Sequence, residues 1–160
     1  MLIRGSCNSI PNRYTFDLHM KGQKNIAIII TSGKSRIRHG IFIGGEITDI
    51  STEHEMKGIV DKSSFVFTFK DENSPVKYSM RQSKQQYQTV FIYDNTHENI
   101  LSIGRNDIVL KKDSSEYCIN NDVCYYDYGK TQHALTGKDS DVSKNEGKIT
   151  AHRIVVLQFE

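Results

Sequence analysis

The chain has 160 residues, a length that suits one domain spanning residues 1–160 around a single hydrophobic core. Its 21 Lys and Arg residues nearly balance its 19 Asp and Glu residues, and the formal net charge of +2 excludes a strong general attraction to nucleic acid or anionic lipid. The longest apolar run, residues 26–30, is far shorter than the about 20 residues that cross a bilayer, and the first residues lack a secretory signal. We therefore expect a cytoplasmic protein without membrane insertion.

The first third of the sequence alternates strand patterns with turn residues. Strands are predicted over residues 14–20, 25–31 and 36–44, with turns at residues 21–22 and 32–35. Glycines at these turns predict hairpins, and hence a meander of antiparallel strands. Residues 26–30 are apolar at every position, so this strand has two apolar faces. The pattern predicts an interior strand of a layered fold.

The remainder of the sequence is also mostly β. Residues 48–63 predict a charged loop with a short helical turn, and residues 130–148 predict a long polar surface loop. Further strands are predicted over residues 64–70, 76–80, 88–93, 99–103, 107–111, 123–128 and 149–159. The fold class expected from these patterns is mainly β and antiparallel.

No motif in the sequence carries the chemistry of an enzyme. The three cysteines Cys7, Cys118 and Cys124 form no CxxC pair, which argues against a disulfide framework or a zinc site and predicts small, mostly buried thiols. The run Gly33-Lys34-Ser35 lacks the upstream glycine of a phosphate-binding loop, because Ile28 occupies that position. The six histidines are scattered, and spacing gives none of them an orienting partner. We therefore predict no catalytic, metal-binding or cofactor-binding residues.

The densest basic stretch contains Lys34, Arg36 and Arg38. Alternation along an antiparallel strand places Arg36 and Arg38 on the same face, and a solvated strand face explains them without any ligand. The alternative is that these cations, beside Tyr14 and Phe16, bind nucleic acid or an acidic protein.

Several short runs, in a fixed order, resemble the TLDc domain family. The resemblance covers residues 17–160, and the matching runs are Phe42-Ile43-Gly44-Gly45, Ser64-Phe65-Val66-Phe67-Thr68-Phe69 with Pro75 and Lys77-Tyr78, Ile103-Gly104 with Asp107-Ile108, Ser114-Ser115-Glu116-Tyr117-Cys118, and Val155-Val156-Leu157-Gln158-Phe159. In the family these runs are similar to Phe-Gly-Gly, Ser-Phe-Leu-Phe-Ser-Leu with Pro-x-Lys-Tyr, Phe-Gly-x-x-x-Asp-Leu, Ser-x-Ser-Tyr and a closing Glu-Val-Phe strand. Glu46 stands where the family has an aromatic residue, and the helical lead-in is reduced or missing.

The resemblance implies a two-layer antiparallel β-sandwich with a few short flanking helices, within the α+β class. It also implies a non-enzymatic protein-interaction module linked to the oxidative stress response, which in several members binds peripheral subunits of the vacuolar proton-pumping ATPase. No active site, cofactor or small-molecule substrate comes with the family. The residues we expect at an interaction surface are Lys34, Arg36, Arg38, Arg105 and Asp107, and the glycines we expect to be structural are Gly44, Gly45 and Gly104.

Two other functions stay open at this point. One is nucleic-acid binding or regulation through the basic strand of residues 34–39, which predicts affinity that falls steeply with salt. The other is a thiol-based enzyme that consumes peroxide, which requires Cys7, Cys118 or Cys124 to be accessible and stabilised as a thiolate by a cation.

Overall fold

The computed structural model describes residues 16–32, 37–69, 75–104, 107–113, 115–118, 125–129 and 147–159. Over these residues the fold is mainly β, with two antiparallel sheets and one short α-helix. The predicted fold class is therefore confirmed, and the arrangement is consistent with a β-sandwich.

The described elements follow one another in a simple order. They are α1 (Phe16–Met20), β1 (Ile26–Ser32), β2 (Ile37–Ile43), β3 (Phe65–Phe69), β4 (Pro75–Ser79), a 3-10 turn (Gln82–Lys84), β5 (Val90–Ile92), β6 (Asn99–Ile103), β7 (Ile108–Lys111), β8 (Ser115–Cys118) and β9 (Gly147–Gln158).

The strands are linked in the order β4-β3-β2-β1-β9-β8-β7-β6-β5, and every neighbouring pair is antiparallel. The long strand β9 belongs to both sheets. Residues 151–158 of β9 pair with β1, whereas residues 147–150 pair with β8. The register between β1 and β9 shifts at Thr31 and Ser32, an irregularity of the kind that bends a strand. We name the first group, β4-β3-β2-β1-β9, the five-stranded sheet.

One cluster of buried side chains draws on both sheets. Ile28 and Ile41 of the five-stranded sheet belong to the same cluster as Leu101 and Ile103 of β6. Each such side chain contributes about 1.5–3 kcal/mol by leaving water. Strand β1 pairs on both edges, as an interior strand of a sheet does. Ile28 is fully buried, whereas Ile29 on the opposite face is only half-buried, so the two faces of β1 are not equally covered.

The strand predicted over residues 14–20 is wrong where the structure describes it, because residues 16–20 form α1. Phe16 and Met20 lie one helical turn apart, and both enter the core with 1% exposure. Gly22 follows with φ of +79°, the left-handed conformation that commonly closes a helix. Phe16 is thus a core residue, so it does not accompany the basic strand as an exposed aromatic.

The loop predicted over residues 48–63 is present, but the expected helical turn is not formed there. Instead, the loop pairs with the edge strand β5: Ser51 bridges to Tyr93, and Ile59 bridges to Val90. The amide of Ile59 donates to the carbonyl of Val90 at 2.8 Å. This contact covers hydrogen-bonding groups that an edge strand would otherwise expose.

Two other predictions need correction, and two short elements were not predicted. Strand β8 and the 3-10 turn are not predicted from the sequence, because short polar segments carry no clear hydrophobic period. Of the strand predicted over residues 123–128, residues 125–128 form only an isolated bridge between Tyr126 and Met80. The loop predicted over residues 130–148 ends earlier, since β9 begins at Gly147, and residues 130–146 lie outside the described part.

Candidate functional site

The five-stranded sheet turns one face to the core and presents a row of phenylalanines on the other. In β3, Val66 and Thr68 point to the buried side, whereas Phe65, Phe67 and Phe69 alternate with them. Cross-strand pairing places Phe42 of β2 beside Phe65. Phe159, just beyond β9, joins the row through its ring contact with Phe42. We name these five residues, Phe42, Phe65, Phe67, Phe69 and Phe159, the aromatic face.

The rings of the aromatic face contact one another in a chain. Phe42 and Phe65 are stacked, with centroids 5.1 Å apart and an interplanar angle of 21°. The Phe67 and Phe69 rings meet edge-on at 5.7 Å and 78°, and the Phe159 ring meets Phe42 edge-on at 6.0 Å. Pairs of this geometry add about 0.5–1.5 kcal/mol beyond the area that they bury. Phe67 at the centre is 9% exposed, whereas its four partners remain half-buried.

Cations lie on three of the five strands that build this face. The ammonium group of Lys77 on β4 lies 4.2 Å from the centroid of the Phe65 ring, a cation–π contact. Arg38 on β2 pairs across the sheet with Phe69, and Arg153 on β9 faces the same side because Thr31 pairs with both arginines. All three cationic side chains are exposed.

Gly40 allows the strands under the aromatic face to approach closely. It lies between Phe67 of β3 and Ile29 of β1 in the cross-strand register. A Cβ atom at this position would overlap the backbone oxygen and carbon of Ile28. Gly40 therefore adds no side chain to the centre of the face.

The structure describes two of the five residues predicted at an interaction surface and places only one of these two on the surface. Arg38 lies on the aromatic face, as the alternation predicts for β2. Lys34, Arg36 and Arg105 lie outside the described residues. Asp107 is 4% exposed, so its carboxylate lies in the interior rather than on the surface.

Asp107 anchors the segment of residues 125–128 to the start of β7. Its Oδ2 atom accepts hydrogen bonds from the amides of Tyr125 and Tyr126 at 2.9 and 3.1 Å, and from the hydroxyl of Tyr128 at 3.3 Å. Gly104, with φ of +62°, lies so close that an added Cβ would overlap the Asp107 carboxyl group. The structural role predicted for Gly104 thus has a physical reason, which is the close approach of this carboxylate.

A second buried carboxylate, Asp61, binds the backbone amides of the double glycine. Its Oδ2 atom accepts hydrogen bonds from the amides of Gly44 and Gly45 at 2.8 and 3.1 Å. Its Oδ1 atom accepts the amide and the hydroxyl of Ser63. Asp61 therefore fixes the chain after β2 to the chain before β3, because its carboxyl group accepts hydrogen bonds from four donors.

Ser64 and Tyr126 connect these two anchors in the interior. The hydroxyl of Ser64 donates to the carbonyl of Asp61 at 2.8 Å, and the Ser64 and Tyr126 oxygens lie 2.9 Å apart. Burial raises the pKa of the Tyr126 phenol to about 12, against the opposing effect of its hydrogen bond with Ser64. The phenol is therefore neutral at pH 7 and acts as a structural hydrogen-bonding group.

Two comparisons with known protein sequences identified no relative of this chain. A scan against models of protein families found no match, and a search of curated proteins found no similar sequence. Among the described residues, no three His, Cys, Asp or Glu side chains are grouped to hold a metal ion. Nor does the described part contain a helix long and apolar enough to span a membrane.

The phenylalanines of the aromatic face are not predicted as contact residues from the sequence. A signal for them exists, because Phe65, Phe67 and Phe69 are two residues apart and must share one face of any strand. The anchoring roles of Asp61 and Tyr126 have no such signal, since each depends on residues more than 15 positions away.

Proposed function

We propose that this chain is a non-enzymatic protein-interaction module of the TLDc kind, which acts in the cytoplasmic response to oxidative stress. Its partner in this proposal is the peripheral part of the vacuolar proton-pumping ATPase, as the sequence resemblance implies. The observation that carries the interaction role is the aromatic face with its three exposed cations, Arg38, Lys77 and Arg153.

The composition of this face supports protein binding. Aromatic residues and arginine are enriched in the cores of protein interfaces, where they supply most of the binding energy. Half-buried phenylalanines such as Phe42 and Phe65 still have apolar surface that a partner can remove from water, at about 25 cal/mol per Å². Because the rings already pack against one another, they lose little side-chain freedom on binding.

The buried polar groups also support a non-enzymatic role. Asp61 and Asp107 are each committed to several backbone donors, and the Tyr126 phenol stays protonated far above neutral pH. These groups fix loops and are buried, so none of them has the open approach to a substrate that general acid–base catalysis needs. The thiol-enzyme alternative gains no support, since the side chains of Cys7, Cys118 and Cys124 lie outside those that the structure describes.

The proposal is tested by binding of the purified chain to the purified peripheral sector of the vacuolar ATPase, measured by biolayer interferometry. We expect saturable binding that survives in the variant Cys7→Ser/Cys118→Ser/Cys124→Ser. The same chain is titrated with a fluorescent single-stranded oligonucleotide across a salt series, as the competing function predicts salt-sensitive binding there. Oligonucleotide binding without ATPase binding would contradict the proposal, and so would loss of ATPase binding in the cysteine-free variant.

A further inference from the structure

A lysine and two tyrosines meet outside the strands, on the chain between β4 and β5 and on the segment of residues 125–129. The Lys84 ammonium lies 4.9 Å from the centroid of the Tyr125 ring and 5.9 Å from the centroid of the Tyr87 ring. The two ring centroids are 6.2 Å apart, and the ring planes meet at 74°. We name Tyr87 and Tyr125 the tyrosine pair.

Both rings of the tyrosine pair turn a face toward the Lys84 ammonium. The distances of 4.9, 5.9 and 6.2 Å form a triangle whose angle at the ammonium nitrogen is about 70°, and this angle decides whether one cation faces both rings. Two rings whose normals point at the same cation have planes that meet at that same angle, and these planes meet at 74°. The π face of a ring attracts a cation within about 6 Å of its centroid. The tyrosine pair therefore forms two walls of a cation site, and Lys84 occupies it.

Backbone hydrogen bonds hold both walls of the site in place. Asp107 accepts the Tyr125 amide at 2.9 Å, and the Arg81 amide donates to the Tyr125 carbonyl at 2.9 Å. The Tyr87 amide donates to the Lys84 carbonyl at 3.0 Å, which closes the turn that brings Tyr87 beside Lys84. A site whose walls are already placed loses little conformational freedom when a ligand binds.

Lys84 is the part of this cluster that is able to leave it. Its ammonium ends a flexible four-carbon chain, and within the described part of the protein it forms no ion pair. Tyr87 is 44% exposed, so a ligand reaches one wall directly from solvent. When the Lys84 side chain swings outward, the ring faces that it covered become available to an external cation.

The chemistry of the occupant selects the ligand. An unmodified lysine of another molecule carries the same ammonium group as Lys84, which is tethered beside the rings at a high effective concentration. Such a lysine therefore competes poorly for the site. A trimethylated lysine keeps its positive charge but has no N–H donors to hydrate, so it loses less hydration than an ammonium group when it enters an aromatic site.

We propose that the tyrosine pair binds a trimethylated lysine side chain of a partner polypeptide, and that the Lys84 ammonium occupies the site until this ligand displaces it. Lys84 shows that the site admits an alkyl chain that ends in a cation, which is the shape of a methylated lysine. The inference goes beyond the proposed function and does not use the aromatic face. Its failure therefore leaves that function as it stands.

The test titrates the isotope-labelled full chain with a seven-residue peptide of Gly and Ser that carries one central lysine, either trimethylated or unmodified. We expect saturable NMR shifts at Lys84, Tyr87 and Tyr125, and about tenfold tighter binding of the trimethylated peptide. Lys84→Gln removes the competing cation and is expected to tighten this binding about threefold to tenfold. The matched control Lys57→Gln changes an exposed lysine on the loop beside β5 and is expected to leave the binding unchanged.

Two variants at the exposed wall test the ring itself. Tyr87→Phe keeps the aromatic face and is expected to bind the trimethylated peptide within about twofold of wild type. Tyr87→Ala removes the wall and is expected to weaken this binding about tenfold. Because Tyr87 is exposed, the circular dichroism spectra of both variants should match that of wild type.

Several outcomes would overturn the inference. They are equal binding of the two peptides, weaker binding after Lys84→Gln, unchanged binding after Tyr87→Ala, and the absence of saturable shifts in both wild type and Lys84→Gln. Free phosphocholine carries the same quaternary ammonium group and is titrated in parallel. If phosphocholine binds more tightly than the trimethylated peptide, the ligand is a lipid headgroup and the proposed polypeptide ligand is wrong.

Discussion

Asp107 is the residue whose removal tests the interior network most sharply. The change Asp107→Ala takes one carboxylate oxygen away from two backbone amides, those of Tyr125 and Tyr126, and from the Tyr128 hydroxyl. A buried donor that loses its acceptor costs about 1–3 kcal/mol, so the two amides alone predict a loss of about 2–6 kcal/mol in the free energy of unfolding. For a small domain this is a large part of the total stability.

Gly104 is the second site of a double-mutant cycle with Asp107, because the two residues are in close contact. Gly104→Ala alone must accept a left-handed φ and an overlap with the Asp107 carboxyl group, and we expect a loss of about 2–4 kcal/mol. In the Asp107→Ala background the overlapping carboxyl is absent, so only the backbone cost of about 1–2 kcal/mol remains. The double variant is therefore expected to lose at least about 1 kcal/mol less than the sum of the single losses.

The assay is urea unfolding followed by far-UV circular dichroism and by tyrosine fluorescence, because the chain has eight tyrosines and no tryptophan. Asp49→Ala is the control, since Asp49 is exposed and its side chain accepts only a local hydrogen bond from Thr48. We expect this control to change stability by less than about 0.5 kcal/mol. An Asp107→Ala variant as stable as the control, or additive losses at Asp107 and Gly104, would refute the anchoring role.

Three further predictions concern other parts of the fold. The Tyr126 phenol has a raised pKa of about 12 in the folded state, so unfolding releases its proton above pH 10. Wild-type stability should therefore fall by up to about 1.4 kcal/mol per pH unit between pH 10 and 12 relative to Tyr126→Phe, as measured by urea unfolding. Gly40→Ala should prevent stable folding, because the added Cβ would overlap the Ile28 backbone. At Gly22 an added Cβ meets no atom, so Gly22→Ala should lower the free energy of unfolding by only about 1–2 kcal/mol, the cost of its left-handed φ. Thermal melts of the two variants check both expectations. Ser51→Ala should cost about 1–2 kcal/mol, since the buried hydroxyl bonds to both backbone groups of Lys57 at 2.8 and 3.0 Å, and hydrogen exchange in β5 should increase.

Each of these predictions has a result that contradicts it. Parallel pH profiles of wild type and Tyr126→Phe would mean that the phenol is not protected by burial. A Gly40→Ala protein as stable as Gly22→Ala would show that β1 and β2 do not approach as closely as described. Unchanged amide hydrogen exchange in β5 after Ser51→Ala would mean that the Ser51 hydrogen bonds do not help the loop to protect this edge strand.

The strands could be predicted from the sequence where a hydrophobic period was present. Strand β6 has the predicted bounds, and the described bounds of β2 and β3 lie within one residue of the predicted ranges at each end. Their side chains alternate between core and surface, and this local pattern determines strand and face together. The aromatic row of β3 follows from the same alternation.

The remaining features depend on contacts between distant residues. Residues 16–20 have a pattern that permits either element, and the helix is selected when Phe16 and Met20 both reach the core. The isolated bridge at Tyr126 depends on Asp107, 19 residues earlier, which accepts the Tyr126 amide. Asp107 ends the polar run of residues 105–107, which is typical of an exposed turn, and only the fold shows that Asp107 is buried. Contacts between distant residues produce no hydrophobic periodicity in the sequence, so local patterns do not predict them.

The most direct test of the central claim is site-specific photo-crosslinking to the peripheral sector of the vacuolar ATPase. A photoreactive amino acid replaces Lys77 on the aromatic face in one protein and Lys57 on the loop beside β5 in another. The account predicts crosslinks to the sector from position 77 and none from position 57. Crosslinks from position 57 alone, or equal yields from both positions, would contradict recognition through the aromatic face, and no crosslink from either position would contradict the proposed partner.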